Sequence, residues 1–121
     1  AAAGEDIVLK SAGTQLYSYA YAPDAATGIL AVLLKGKSGE AYNVSDTDSE
    51  VTLRQITEWL AEDNGVKVTF EVPDVPEQAG YSTATRALLD TEKIAALGWR
   101  PQTHMREGLM ETVRSLRETQ S

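Results

Sequence analysis

Short runs of alternating apolar and polar residues predict a set of strands along the chain. Two strands are predicted at Ile7 to Lys10 and Leu16 to Tyr21, and the intervening loop from Ser11 to Gln15, which contains Gly13, predicts a hairpin. Further along, Ala41 to Val44 and Val66 to Val72 are also strand candidates. We therefore expect a sheet component built from short, half-buried strands.

Two helices are predicted between these strands. Pro23 and Asp24 begin the first helix, since proline suits the first helical position and an acidic side chain complements the helix dipole. Its apolar residues cover more than one face, so we expect it to be largely buried up to Gly36; they are Ile29, Leu30, Val32, Leu33 and Leu34. The second helix begins at the capping box Thr52-x-x-Gln55 and runs to about Asp63.

The C-terminal part predicts two further helices joined by a tight turn. Asp90 is a good N-cap for the first, while Gly98 and Pro101 end it. The last helix, from about Met105 to Arg117, has one apolar stripe. His104 precedes it, and we interpret this single histidine as a residue that helps to start the helix.

Together these elements predict a mixed α/β (α+β) fold in a single domain spanning residues 1–121. Strand 41–44, the helix from Thr52 and strand 66–72 predict a β-α-β unit with parallel strands. The polar stretch from Ser45 to Glu50 and the stretch from Asp74 to Thr85 are predicted loops.

Composition narrows the classes of function. Eleven Lys and Arg against 18 Asp and Glu give a net charge of −7, which disfavours nucleic acids and anionic membranes as partners. Without cysteine, neither disulfides nor thiolate metal sites can form. No apolar run is long enough to span a bilayer and no signal peptide is visible, so a cytoplasmic location is the default expectation.

Four segments in order resemble one enzyme family. They are the segment Gly13 to Asp24, the segment Gly39 to Val44, the helix from Thr52, and the pattern Asp90-x-x-Lys-x-x-x-Leu-Gly-Trp-x-Pro followed by Glu107-Gly-Leu-x-x-Thr. Together they resemble the C-terminal, substrate-binding portion of the NAD-dependent nucleotide-sugar epimerases and dehydratases, which are extended short-chain dehydrogenases/reductases.

The resemblance implies a parent enzyme, an isomerase or lyase, that binds NAD(P) and a nucleotide sugar. This chain contains neither the Gly-rich turn of a dinucleotide site nor a Tyr-x-x-x-Lys pair. We therefore expect a C-terminal fragment that lacks the Rossmann domain, holds no cofactor or metal, has no catalytic residue and turns nothing over alone.

Three residues are candidates for substrate binding. In the family, an Arg that contacts the substrate diphosphate often stands where this chain has Tyr17, which carries no charge. Several branches also have an Arg at the position of Arg86, which the resemblance implies would reach the phosphates. Gln15 is a weaker candidate for the same pocket. Alternatively, Tyr17 packs in a strand and Arg86 pairs with a nearby Glu.

Two hypotheses about function remain open from the sequence. The first is the substrate domain, which would close on the missing Rossmann domain. The second is a free-standing interaction module whose aliphatic helix, Pro23 to Leu34, buries its second face against a partner or a second copy of the chain. Both hypotheses predict self-association, so we expect a homo-oligomer in either case.

Overall fold

The computed structural model describes residues 1–72 and 83–120, which form two small sheets and four helices. The strands are β1 (Ile7–Leu9), β2 (Leu16–Tyr19), β3 (Asp46–Thr52), β4 (Val68–Phe70) and β5 (Arg86–Ala87). The helices are α1 (Ala22–Lys35), α2 (Leu53–Asn64), α3 (Glu92–Ala95) and α4 (Met105–Gln120). The mixed α/β class is therefore confirmed, and most of the predicted loop at 74–85 lies outside the described residues.

The strand pairing differs from the prediction. β1 pairs with β4 in parallel, and a separate sheet has the order β3-β2-β5, in which β2 is antiparallel to β3 and parallel to β5. The predicted hairpin between β1 and β2 is wrong, because the connecting loop turns toward α2 instead. There Gly13, at φ 66°, accepts a hydrogen bond from the Arg54 amide at 2.9 Å.

The predicted β-α-β unit is also wrong, because the strands before and after α2, β3 and β4, do not pair and belong to different sheets. Ala41 to Val44, a predicted strand, is irregular, and the predicted loop at Ser45 to Glu50 contributes instead to β3. Asp46 and Ser49 in this strand are almost completely buried. The Ser49 hydroxyl donates to Asp46 and accepts from the amide of Met105, the first residue of α4, and these hydrogen bonds make a buried polar strand possible.

Helix α2 follows the sequence prediction closely. The Thr52 side chain accepts from the Gln55 amide, and the Gln55 side chain accepts from the Thr52 amide, so the capping box is confirmed. Gly65 ends the helix in the left-handed conformation. The Arg54 guanidinium lies 3.7 Å from the centre of the Phe70 ring, which packs α2 against β4.

Helix α1 begins and ends as predicted, but it is not largely buried. Pro23 lies in its first turn and Gly36 caps it, as expected. Only Asp24 and Gly28 are buried along its length. Four aliphatic side chains, here called the α1 aliphatic face, are 55–79% exposed: Ile29, Leu30, Leu33 and Leu34. The prediction took the abundance of apolar residues as a sign of burial, yet the described residues leave this face uncovered.

The Gly98-Trp99 turn is fastened to the other side of α1. Gly98 has a φ of 89°, and the Trp99 indole donates to the Thr27 hydroxyl at 2.9 Å. A Cβ at Gly28 would lie 2.7 Å from a Val44 methyl carbon and 3.2 Å from the indole, so this close approach requires glycine. The turn that dominates the C-terminal pattern is therefore a packing element.

The helix after Asp90 is shorter than predicted. α3 has one turn and its N-cap is Thr91, one residue later than expected, while the Asp90 carboxylate accepts from the Glu92 amide. Ile94 of this helix is completely buried beside the Trp99 turn, in a small core. The other buried hydrophobic residues are Val51, Ile56, Ala61, Trp99 and Val113.

No helix in the described ranges is long and apolar enough to cross a membrane.

Candidate functional site

The candidate site lies where β5 pairs with β2. In this parallel pairing Leu16 lies beside Arg86 and Tyr17 beside Ala87, and both residues of β5 are exposed. Within residues 1–72 and 83–120, no carboxylate pairs with the Arg86 guanidinium. The expected alternative, a surface ion pair with Glu, is therefore not formed among the described residues.

The register divides the three candidate residues between two faces of the sheet. Residues in register on neighbouring strands share a face, and side chains alternate along each strand. Arg86 therefore shares a face with Leu16, whereas Tyr17 lies on the opposite face beside Ala87. Gln15 is half-buried just before β2. The structure thus brings the three residues to one end of two adjacent strands, but it does not put Arg86 and Tyr17 on one surface.

Tyr17 also has structural contacts of its own. Its hydroxyl donates to the Ala84 carbonyl at 3.4 Å, and its ring packs edge to face against Tyr19 with centroids 6.4 Å apart. The pKa of Tyr19 is raised, first by burial and then by the neighbouring Tyr17. These contacts favour the packing role for Tyr17 that the sequence left open.

Several hydrogen bonds hold the chain that carries Arg86. The Leu16 amide donates to the Thr85 carbonyl at 3.0 Å, and the Leu89 amide donates to the Ser18 hydroxyl at 2.9 Å. The Asn43 side-chain amide donates to the Asp90 carbonyl, also at 2.9 Å. Three contacts, two from β2 and one from the segment before β3, therefore fix the backbone on both sides of Arg86.

A second polar cluster fastens β3 to the start of α4. Asp46 Oδ2 lies 2.7 Å from Nδ1 of His104 and accepts from the Ser49 hydroxyl at 2.6 Å. The Met105 amide in turn donates to the Ser49 hydroxyl at 2.8 Å. His104 therefore helps to start α4, as predicted, but its acidic partner came from a stretch that the sequence indicated as loop.

The two ionisable groups of this cluster stabilise each other's charged forms. Burial alone would raise the pKa of Asp46, but hydrogen bonds from Ser49 and His104 outweigh it and hold the pKa below its ordinary value. The hydrogen bond to Asp46 raises the pKa of His104, and the charges of Asp46, Asp48 and Glu107 add to this effect.

The same cluster could offer ligands to a metal ion. Asp46, Asp48 and His104 present ligand atoms within 4.8 Å of one another, the one such group in the part of the chain that the structure describes. However, Asp46 and His104 already use these atoms to join β3 to α4. We therefore assign the group a structural role.

Stability should depend on pH through this pair. Because the pKa of His104 is higher in the folded protein, its contribution is complete below its unfolded pKa of about 6.5 and is lost as pH rises through the folded value. The Asp46 contribution is present above its unfolded pKa of about 3.8 and is lost as pH falls through its lower folded value. Urea unfolding should therefore show lower stability at pH 8.5 than at pH 6.

The control for this prediction is His104→Gln. The variant should lose most of the stability difference between pH 6 and pH 8.5. An unchanged difference would show that another group controls the pH dependence.

The chain is similar in sequence to known enzymes of one family. Residues 1–45 match the model of the NAD dependent epimerase/dehydratase family. Human dTDP-D-glucose 4,6-dehydratase is 31% identical over 115 residues, covering 91% of this chain and 32% of the relative. The Haemophilus influenzae dTDP-glucose 4,6-dehydratase is 32% identical over 121 residues, covering 92% of this chain and 35% of the relative.

Solved structures show the same likeness. A Streptomyces venezuelae dTDP-glucose 4,6-dehydratase, solved with NAD bound, superimposes with a TM-score of 0.80 at 30% identity, covering 98% of this chain and 36% of that one. A Thermotoga maritima UDP-glucose 4-epimerase, solved with UDP-glucose, has a TM-score of 0.82 at 25% identity, covering 99% of this chain and 37% of that one.

The fold and the matched segments therefore define a relative of the extended short-chain dehydrogenases/reductases. Within that class the chain is similar to the NAD-dependent epimerase/dehydratase family. It spans about a third of the length of the relatives it matches.

Proposed function

We propose that this chain is the substrate-binding, C-terminal part of an NAD-dependent nucleotide-sugar epimerase or dehydratase. The chain matches its relatives over nine-tenths of its own length but over only a third of theirs. In this proposal the Rossmann domain, the NAD(P) site and the catalytic residues belong to the remaining two thirds of the parent enzyme.

The observation that carries the binding proposal is the placement of Arg86. Its guanidinium is exposed on the short strand β5 and forms no ion pair within the described ranges, while the backbone around it is held on both sides. A guanidinium can donate two parallel hydrogen bonds to phosphate oxygens. Arg86 would supply this contact to the diphosphate. Gln15, just before β2, is a candidate for a second contact, whereas Tyr17, on the opposite face of the sheet, would contribute through packing rather than through the same phosphate oxygens.

Two sequence motifs support the proposal that this chain performs no cofactor chemistry, because the sequence contains neither of them. A Gly-rich turn is needed for backbone amides to approach a pyrophosphate, and no such turn occurs in the sequence. No tyrosine is followed by lysine four residues later. The isolated chain should therefore bind no NAD and catalyse neither NADH formation nor epimerisation.

The exposed α1 aliphatic face supports the proposal that this chain contacts the Rossmann domain of the parent enzyme. Four large aliphatic side chains on one helix, all more than half exposed, form an apolar surface of the kind that marks an interface. We propose that this face lies against the Rossmann domain in the parent enzyme. In the isolated chain the same face would promote self-association.

Calorimetric titration with dTDP, UDP and GDP tests the binding proposal. Arg86→Ala should weaken binding of the preferred nucleotide about tenfold to a hundredfold, since hydrogen bonds between charged groups contribute about 1.5–3 kcal/mol. The matched control is Arg114→Ala, which removes an exposed cation paired with Glu111 and should leave affinity unchanged. Equal affinity of Arg86→Ala and the unsubstituted chain would contradict the proposal.

A free-standing interaction module is the second candidate, and the exposed α1 aliphatic face is the observation that favours it. Under this alternative no nucleotide binds, and the face is the functional surface. Leu33→Glu at a 77% exposed position should reduce self-association in sedimentation velocity while changing stability by about 0.5 kcal/mol or less. Unchanged sedimentation would contradict an interface at α1, and nucleotide binding would exclude the module.

A further inference from the structure

The strand that carries Arg86 is too short to hold its own position. β5 has only two residues, and both are exposed at the edge of the described sheet. Few ladder hydrogen bonds are possible over such a length, so neighbouring side chains must contribute to keeping the backbone in place.

Ser18 supplies one such contact from β2. Its hydroxyl accepts a hydrogen bond at 2.9 Å from the amide of Leu89, three residues after Arg86. The alternation of side chains along β2 places Ser18 on the same face as Leu16, whose partner in the register is Arg86. The hydrogen bond between Ser18 and Leu89 therefore lies on the same face of the sheet as the Arg86 side chain.

Asn43 supplies the other contact from the segment before β3. Its side-chain amide donates to the carbonyl of Asp90 at 2.9 Å. The Asp90 carboxylate in turn accepts from the Glu92 amide at the start of α3, also at 2.9 Å. The chain between Arg86 and α3 is thereby held from two different directions.

We infer that Ser18 and Asn43 are positioning residues that act through Arg86 in anion binding. The inference rests on the proposed function, because Arg86 must bind the diphosphate for its position to matter. A backbone that is ordered before the ligand arrives reduces the entropy lost on binding. Loss of either contact should weaken nucleotide binding without removing any group that touches the ligand.

A double-mutant cycle with dTDP as the probe tests this inference. Ser18→Ala and Asn43→Ala should each weaken binding about threefold to tenfold. In an Arg86→Ala background, neither substitution should have a further effect, whereas a general structural defect would persist. Ser18→Thr keeps the hydroxyl and should retain affinity, and Ser115→Ala on the exposed side of α4 is the matched serine control.

The outcomes separate the two proposals. If Arg86→Ala weakens dTDP binding but Ser18→Ala and Asn43→Ala do not, the positioning inference is overturned and the proposed function stands. The inference is likewise overturned if their effects persist without Arg86. If the unsubstituted chain binds none of dTDP, UDP and GDP, or if Arg86→Ala binds equally well, both proposals are overturned; a chain that prefers UDP or GDP is tested in the same cycle with that nucleotide as the probe.

Discussion

Replacing Asp46 with alanine should lower the free energy of unfolding by about 3 kcal/mol. The carboxylate is almost completely buried and accepts hydrogen bonds from the Ser49 hydroxyl and the Asp48 amide, while it also contacts His104. Its removal would leave the buried Ser49 hydroxyl and the Asp48 amide without this acceptor, and it would remove one of the contacts that join β3 to the start of α4. Urea unfolding at pH 6 measures the change directly.

A variant of the neighbouring residue and a conservative variant of Asp46 itself make this test specific. Thr47→Ala changes an exposed side chain beside Asp46 on the same strand and should alter stability by about 0.5 kcal/mol or less. Asp46→Asn keeps the shape and one acceptor oxygen, so it should destabilise less than alanine. A loss below about 1 kcal/mol for Asp46→Ala would contradict the role given to this cluster.

Replacing Asp24 with alanine should cost about 2–3 kcal/mol of stability. One oxygen of this buried side chain accepts from the amides of Gln102 and Thr103, at 3.0 and 2.8 Å, and so ties the chain after Trp99 to α1. Without it, two partly buried amides would lose their acceptor. Thermal and urea unfolding of the variant test the expected loss.

Asp24→Asn provides the conservative comparison, because its side-chain carbonyl can still accept from these amides. It should retain more stability than the alanine variant. Glu111→Ala removes a carboxylate of the half-exposed α4 pair with Arg114 and should have little effect. Equal melting temperatures for Asp24→Ala and the unsubstituted chain would show that contacts other than Asp24 hold the chain after Trp99 against α1.

Local signals in the sequence were sufficient to predict most helix ends. The capping box at Thr52 and the end of α1 before Gly36 both depend on neighbouring residues. Gly98 has the expected left-handed conformation, but α3 already ends at Ala95, so the predicted end of that helix is wrong. Such signals report the backbone conformation of a few positions, so they can be read without knowing the rest of the fold.

Strand pairing was not predictable from the same kind of signal. The loop containing Gly13 suggested a hairpin, but the pairing of β1 with β4 joins residues about 60 positions apart in sequence. β3 was missed because its polar residues, Asp46 and Ser49, are buried through partners that only the folded chain supplies. The exposure of the α1 aliphatic face likewise depends on what packs around the helix rather than on its composition.

The candidate site was only partly predictable. The resemblance to the family pointed to Arg86 and Tyr17, but the register between β2 and β5 was needed to show that they lie on opposite faces. No signal in the sequence pointed to Ser18 or Asn43, since their partners are 71 and 47 residues away. Their roles, like those of Gln15, Tyr17 and Arg86 in substrate binding, remain predictions.

The most direct test of the central claim is a nuclear magnetic resonance titration of the isotope-labelled chain with dTDP and, separately, with NAD. We expect dTDP to shift amide signals in and around β2 and β5, centred on Arg86, and NAD to shift none. A specific, saturable response to NAD would contradict the proposed function, and so would dTDP shifts confined to residues far from β5.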